Sequence, residues 1–120
     1  MKLTGSCHCG ATKFEVASVP QSVLQCTCSI CSKLGGLWAY YRPEDFRLLE
    51  RPSSETTYRW SSKTIAFKFC PSCGCSTYNE TLDWSTGEAG APMIAINARL
   101  LDDLDIDTIP VERIDGKNLW

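Results

Sequence analysis

The sequence predicts an all-β fold with minimal helix, built from short antiparallel strands in a single domain spanning residues 1–120. Three observations carry this. Short runs alternate apolar and polar residues. Turn-forming clusters punctuate them at regular intervals. Eight cysteines, set against one histidine, fall in tight groups that can staple strands together through a metal ion.

In chain order, Thr12, Phe14 and Val16 share one face while Lys13 and Glu15 share the other, the signature of a half-buried strand. Ser22–Cys26, Leu37–Tyr41, Phe46–Leu49, Thr56–Trp60, Thr64–Phe69 and Met93–Ala98 follow as strands rich in β-branched and aromatic residues. Arg42-Pro43-Glu44-Asp45, Arg51-Pro52-Ser53-Ser54 and Thr86-Gly87-Glu88-Ala89-Gly90 supply turns between them. Helix is confined to a turn after Cys28 and another at Pro43–Phe46, and the acidic stretch Leu100–Asp107 reads equally as loop or short helix.

Composition narrows the function. Hydrophobic residues at 43% suit a globular core, and a formal net charge of −2 lacks the basic surplus that meets phosphates, so nucleic acid is not an expected partner. No run approaches the ~20 apolar residues of a membrane span. Met1 to Gly10 lacks the apolar stretch of an export signal, so a cytoplasmic, reducing location is expected. There, clustered thiols read as metal ligands and not as a disulfide framework.

Cys7 and Cys9 form C-x-C, Cys26, Cys28 and Cys31 form C-x-C-x-x-C, Cys70 and Cys73 form C-x-x-C, and Cys75 follows. A closed structural zinc site takes four ligands, whereas a catalytic one takes three and leaves a position open. A four-thiolate plus a three-thiolate site therefore uses seven cysteines and leaves one spare. On a strand, residues i and i+2 point to the same side, so Cys7 and Cys9 aim at one point and His8 aims away. Cys70-Pro71-Ser72-Cys73-Gly74 reads as a zinc knuckle, Pro71 presetting φ and Gly74 able to take a positive φ. Cys7, Cys9, Cys70 and Cys73 are thus the expected structural site.

Cys26 and Cys28 share a strand side in the same way, with Cys31 one turn later. Three readings stand: an open three-thiolate site, a site closed by Cys75, or no metal. An open site would deprotonate an incoming thiol and suits thiol activation better than hydrolysis. With two zinc ions bound, seven lost protons and four added positive charges would carry the formal charge from −2 to −5. Trp38, Tyr40, Tyr58, Trp60, Phe67 and Phe69 read as core in preference to pocket wall, and Cys75 as a buried, inert thiol.

Gly5-Ser6-Cys7-His8-Cys9-Gly10, Cys26-Thr27-Cys28-Ser29-Ile30-Cys31-Ser32-Lys33 and Phe69-Cys70-Pro71-Ser72-Cys73-Gly74 together resemble the motifs of the glutathione-dependent formaldehyde-activating enzyme family, which includes centromere protein V. The resemblance runs over essentially the whole chain. It implies a zinc-stapled β-tent fold related to methionine-R-sulfoxide reductases, and a carbon–sulfur lyase joining a glutathione-like thiol to formaldehyde or a related aldehyde, or the reverse. It implies structural zinc at Cys7, Cys9, Cys70 and Cys73, catalytic zinc at Cys26, Cys28 and Cys31, and Lys33 as the family's basic position facing the thiol substrate. Ser32 stands where many members carry arginine, and Cys75 with Tyr78-Asn79-Glu80 also departs from the glutathione enzymes. The alternatives are a non-catalytic zinc module of the same fold and sulfoxide reduction through Cys75.

Overall fold

The computed structural model describes residues 2–54, 56–60 and 65–119. The fold is mainly β. Ten strands run β1 (Leu3–Ser6), β2 (Lys13–Val16), β3 (Val23–Cys26), β4 (Trp38–Tyr41), β5 (Phe46–Glu50), β6 (Thr56–Trp60), β7 (Ile65–Phe69), β8 (Ser76–Leu82), β9 (Pro92–Asn97) and β10 (Val111–Ile114). Among the described residues, helix is limited to α1 (Ser29–Leu34), α2 (Gly116–Leu119) and three 3-10 turns at Pro43–Asp45, Ala98–Leu100 and Ile106–Thr108. The stretch Leu100–Asp107 is therefore mostly irregular, entered by one 3-10 turn and left by another.

The strands form two sheets. The smaller is antiparallel, in the order β1-β2-β5. The larger has seven strands in the order β10-β3-β4-β9-β8-β7-β6, antiparallel except where β10 runs parallel to β3. Three strands were not expected from sequence: β1, β8 and β10.

The core lies between the sheets. Phe14 and Val16 of β2 face Val23, Ala39, Tyr41, Tyr78 and Ile96 of the large sheet. Phe46 bridges the layers, its ring 5.8 Å from Phe14 and 5.1 Å from Tyr78. Phe14 and Ile96 are fully buried, and removing a side chain like Phe14 from such a place costs about 3–5 kcal/mol.

Side chains alternate along a strand, so the large sheet presents a second face away from this core. Register fixes who is on it. Leu24 pairs with Trp38, Trp38 with Asn97, Tyr40 with Ala95, Ala95 with Asn79, and Asn79 with Phe67. Of the aromatics read as core, Trp38 and Phe67 are buried on this second face, whereas Tyr40, Tyr58 and Phe69 are exposed, a correction to that reading for these three. The side chain of Trp60 lies outside what is described. Cys26, two residues after Leu24, points to this same second face.

Candidate functional site

The structure gathers the sulfurs into two groups. Cys7, Cys9, Cys70 and Cys73 form one and Cys26, Cys28 and Cys31 the other, with the sulfur atoms of each group all within 4.8 Å of one another. His8 is exposed and belongs to neither.

The four-sulfur group is assembled by two loops. β1 ends at Ser6, so Cys7 and Cys9 lie in the turn between β1 and β2, and not on a strand as strand alternation suggested. That turn is closed by the Cys7 amide donating to the Thr12 carbonyl at 3.1 Å and the Gly10 amide donating to the Cys7 carbonyl at 3.1 Å. The turn, not the pleat, makes the sulfurs converge. The Thr12 amide also donates to Cys7 Sγ at 3.4 Å. The second loop links β7 to β8. There the Gly74 amide donates to the Cys70 carbonyl at 2.9 Å, and the Cys70 amide donates to the Cys75 carbonyl at 2.9 Å. Gly74 takes φ +80°, a conformation that a side chain would strain.

Cys9 Sγ is 3.5 Å from Cys70 Sγ and 3.7 Å from Cys7 Sγ. A tetrahedral four-thiolate site with metal–sulfur bonds of about 2.3 Å has sulfur–sulfur edges of about 3.8 Å, so the donor set and its spacing fit zinc. Because Cys7 and Cys9 belong to the small sheet and Cys70 and Cys73 to the large one, an ion here would tie the two layers together.

The thiols of this group are not equivalent. The amides of Cys75 and then Cys9 face the Cys73 sulfur and bring it down to about 5 from an ordinary 9.0. At Cys9 the Ala11 amide favours the thiolate, but the sulfur of Cys70, burial and the other sulfurs outweigh it and push the thiol up to about 11. Burial opposes the Cys7 thiolate, yet the Thr12 amide and the thiols of Cys9 and Cys70 leave it below its ordinary value. Cys75 stands beside this group, next to Cys73 and the His8 backbone. It is therefore placed away from the Cys26 group, which it does not close.

The three-sulfur group sits where β3 passes into α1. Cys26 is the last residue of β3, Cys28 is the N-cap of α1, and Cys31 lies in the helix. Cys26 and Cys28 again do not share a strand. The Cys28 amide donates to Cys26 Sγ at 3.4 Å. Burial raises Cys28, but the amides of Cys31 and Ile30 in the first turn of α1 and the neighbouring thiols overcome this, and its thiol is lowered. That approach of amide to sulfur is looser than a formed capping bond. Burial raises Cys26 and Cys31, and the Cys28 thiolate raises both further.

Two consecutive glycines shape this corner for different reasons. Gly35, at φ +67°, ends α1 with its amide on the Cys31 carbonyl at 3.0 Å. Gly36 gives room to the Trp38 indole, since a Cβ there would lie 2.4–2.7 Å from three ring atoms. The indole is thereby laid against the Cys31 sulfur, close enough to favour its thiolate but without a completed hydrogen bond. Tyr40 follows on the same face. Almost half of its surface meets solvent (45%), yet its phenol end is crowded: burial, then the charges of Cys31, Cys26 and Cys28, hold it protonated far above the usual range. Lys33 is exposed on α1 and makes no ion pair among the described residues.

Thr27, between Cys26 and Cys28, is latched from the C-terminal segment. Its amide donates to the Ile114 carbonyl at 3.1 Å, and its hydroxyl contacts Asp115 Oδ1 at 3.3 Å and receives the Lys117 amide at 3.3 Å. A cavity of about 290 Å³ lined by Gln25, Leu37, Arg99, Asp107 and Arg113 lies on the opposite side of β3 from Cys26 and touches neither sulfur group.

With this geometry in place, the comparisons with known proteins are informative. The family model of the glutathione-dependent formaldehyde-activating enzyme matches residues 2–114. The chain belongs to that family. A protein of Halomonas elongata, provisionally named a glutathione-dependent formaldehyde-activating enzyme, is 51% identical over 41 residues, a stretch covering 33% of this chain and 26% of that protein. The match thus spans about a quarter of that relative's length. A crystal structure of a Rhodobacter sphaeroides protein superposes with a TM-score of 0.74 at 26% identity, covering 91% of this chain and 99% of that one. No helix among the described residues is long and apolar enough to cross a membrane.

Proposed function

We propose that this family member joins a glutathione-like thiol to formaldehyde or a related aldehyde, or runs the reverse cleavage, as a zinc-dependent carbon–sulfur lyase. The observation that carries this reading is the three-sulfur group itself: Cys26, Cys28 and Cys31 converge, and among the described residues no fourth metal-ligating side chain joins them. Family membership supplies the substrate classes.

Cys26, Cys28 and Cys31 would hold the catalytic zinc, and Cys7, Cys9, Cys70 and Cys73 the structural one. A zinc ion held there would supply the acidity by which a substrate thiol gives up its proton near neutral pH. The chain's own residues do the rest. The amides in the first turn of α1 lower the Cys28 thiol and so favour its thiolate form. Trp38 walls Cys31 and excludes water from one side of the group. Tyr40, kept protonated, offers a hydroxyl donor beside the reacting sulfur. In the forward direction the thiolate sulfur donates its electron pair to the carbonyl carbon, forming the C–S bond. The C=O π pair moves to oxygen, which takes up a proton equivalent to the one the thiol released. In this reading Lys33, exposed on α1, would meet a carboxylate of the thiol substrate.

The test is the full-length protein loaded with zinc and assayed for S-hydroxymethyl adduct formation by ¹³C exchange NMR with glutathione and labelled formaldehyde. Exchange faster than the uncatalysed rate, lost in Cys28→Ser with circular dichroism unchanged, is the expected result. Wild-type exchange no faster than buffer would sink the reading.

A further inference from the structure

Among the described residues Trp38 is the largest side chain to be fully buried, at 2% exposure, yet its Nε1 has no hydrogen-bond partner. An indole N–H can only donate, and a buried donor left unpaired is an exception that calls for a reason. A phenylalanine would fill most of the same place with no donor to satisfy. The backbone makes room for this ring in particular. A Cβ on Gly36 would fall 2.4–2.7 Å from Cζ2, Cε2 and Cη2, and Cε2 is the atom bonded to Nε1. What the N–H edge meets is the Cys31 sulfur, within range of an interaction but short of a completed bond.

The other two sulfurs of the group face N–H donors supplied by the backbone. The Cys28 amide donates to Cys26 Sγ at 3.4 Å, and the amides of Cys31 and Ile30 face the Cys28 sulfur. At Cys31 the neighbouring donor is a side chain. Cys26 and Cys28 are also buried, whereas Cys31 is only partly so, and a reagent arriving from solvent is therefore a greater hazard to Cys31. A hydrogen bond to a thiolate stabilises its charge and lowers its nucleophilicity. Thiol activation requires that difference, because the aldehyde must add to the substrate sulfur and not to a ligand. At either sulfur the bond-making is the same. The sulfur lone pair forms the C–S bond, the C=O π pair moves to oxygen, and oxygen takes up a proton equivalent to the one the thiol released. What selects between the sulfurs is the electron density each offers.

We propose that Trp38 is a positioning residue whose indole N–H donates to the Cys31 thiolate once Cys26, Cys28 and Cys31 hold a metal ion, quieting that sulfur so that the aldehyde adds to the substrate thiolate. The inference rests on the thiol-activating reading above and adds what keeps a ligand from competing with the substrate. It also gives the buried, unpaired N–H a partner within the chain, since a thiolate accepts a hydrogen bond far better than a thiol does.

The test uses the full-length protein loaded with zinc, without glutathione or formaldehyde. Trp38→Phe removes the N–H and part of the ring. The isostere 3-benzothienylalanine at position 38 keeps the bicyclic ring and replaces only the N–H, by sulfur. Iodoacetamide alkylation is assigned to Cys26, Cys28 or Cys31 by fragment mass spectrometry. It should run about fivefold faster at Cys31 in both variants, the scale of one hydrogen bond to a thiolate, and change less than twofold at the other two sulfurs. No acceleration with the isostere overturns the proposal even where Trp38→Phe reacts faster, because ring volume is then the shield. Equal acceleration at all three sulfurs overturns it as well. Should the variants fail to fold or to hold metal, the wild type decides. With cadmium-113 in place of zinc, the Trp38 indole proton should show scalar coupling to the metal through the Cys31 sulfur, and absence of that coupling overturns the proposal. Adduct formation is scored separately. A wild type with the coupling and the shielded Cys31 but no adduct refutes the lyase reading alone, and adduct formation without them refutes the Trp38 reading alone.

Discussion

Replacing Cys73 by serine isolates the contribution of an ion that bridges the two sheets. Cys73 is only partly buried, so the substitution disturbs little packing and acts chiefly by removing a ligand. The ligand loops it would release are far apart in sequence: Cys9 and Cys70, whose sulfurs are 3.5 Å apart, are separated by 61 positions. Treating the ion as a cross-link closing that loop gives about 4 kcal/mol of stabilisation from the lowered entropy of the unfolded chain. Against an expected total of about 6–18 kcal/mol for a chain of this length, that is a large fraction. With an unfolding entropy of about 250 cal/mol/K, the shift in Tm is about 17 °C downward. The Cys26 group provides the internal control, because its three ligands come from one six-residue segment and cross-link almost nothing. Cys28→Ser should therefore move Tm by no more than a few degrees. Thermal unfolding by circular dichroism, with metal content measured on the same samples, reads both. A Tm shift under about 5 °C in Cys73→Ser, with the chain shown to hold one ion fewer, would refute the inter-sheet staple.

Three further outcomes follow from the site. Gly36→Ala should press a Cβ into the Trp38 ring, at 2.4–2.7 Å from its atoms before relaxation, and cost about 1–3 kcal/mol; indole displacement would show as altered tryptophan fluorescence and weaker retention of the second zinc ion, and unchanged stability would contradict the contact. Zinc affinity should rise with pH, because Cys9, at about 11, and the raised Cys26 and Cys31 must each lose a proton to bind; calorimetric proton release for two bound ions should stay at about three or more from pH 6 to pH 8, and a release falling well below three in that range would count against these shifts. In the metal-free protein the Cys73 thiolate, with its pKa lowered from 9.0 to about 5, favours the folded state fully above pH 9, and the benefit disappears as pH falls through about 5; alkylation of Cys73 that stays fast at pH 6 would show it, and a rate falling tenfold per unit from pH 8 would not.

Much of this was legible in the sequence, and the exceptions share a physical cause. Strands with an apolar stripe, such as Lys13–Val16 and Trp38–Tyr41, were readable because alternation reports burial on one side. The sulfur partition was readable because ligand number and spacing are local rules. The means of convergence was not. C-x-C works here through a turn after β1 and through a strand-to-helix junction after β3, two geometries that the same spacing permits. β1 was missed because Leu3-Thr4-Gly5-Ser6 resembles a turn, and β10 because Val111, Glu112 and Arg113 are all exposed and leave no apolar stripe. The omission of β8 is the instructive one. Its buried stripe is Thr77, Asn79 and Thr81, polar residues on an interior strand, and a pattern search that equates burial with hydrophobicity passes over it.

That polar stripe also bears on how the sheet divides its work. On the core side, β8 contributes Tyr78, packed against Phe46, and β9 contributes Ile96, fully buried. On the other side the same two strands contribute Asn79, Ala95 and Asn97. On the first face aromatic and branched side chains close the gap to β2. On the second, beside Cys26, β8 and β9 present Thr77, Asn79, Thr81, Met93, Ala95 and Asn97, with Trp38 and Phe67 buried on the neighbouring strands. A sheet selected only for stability would carry apolar residues on both faces of its interior strands or would leave the polar ones paired. Asn97 is paired and Asn79 is not, although they sit on adjacent strands of one face.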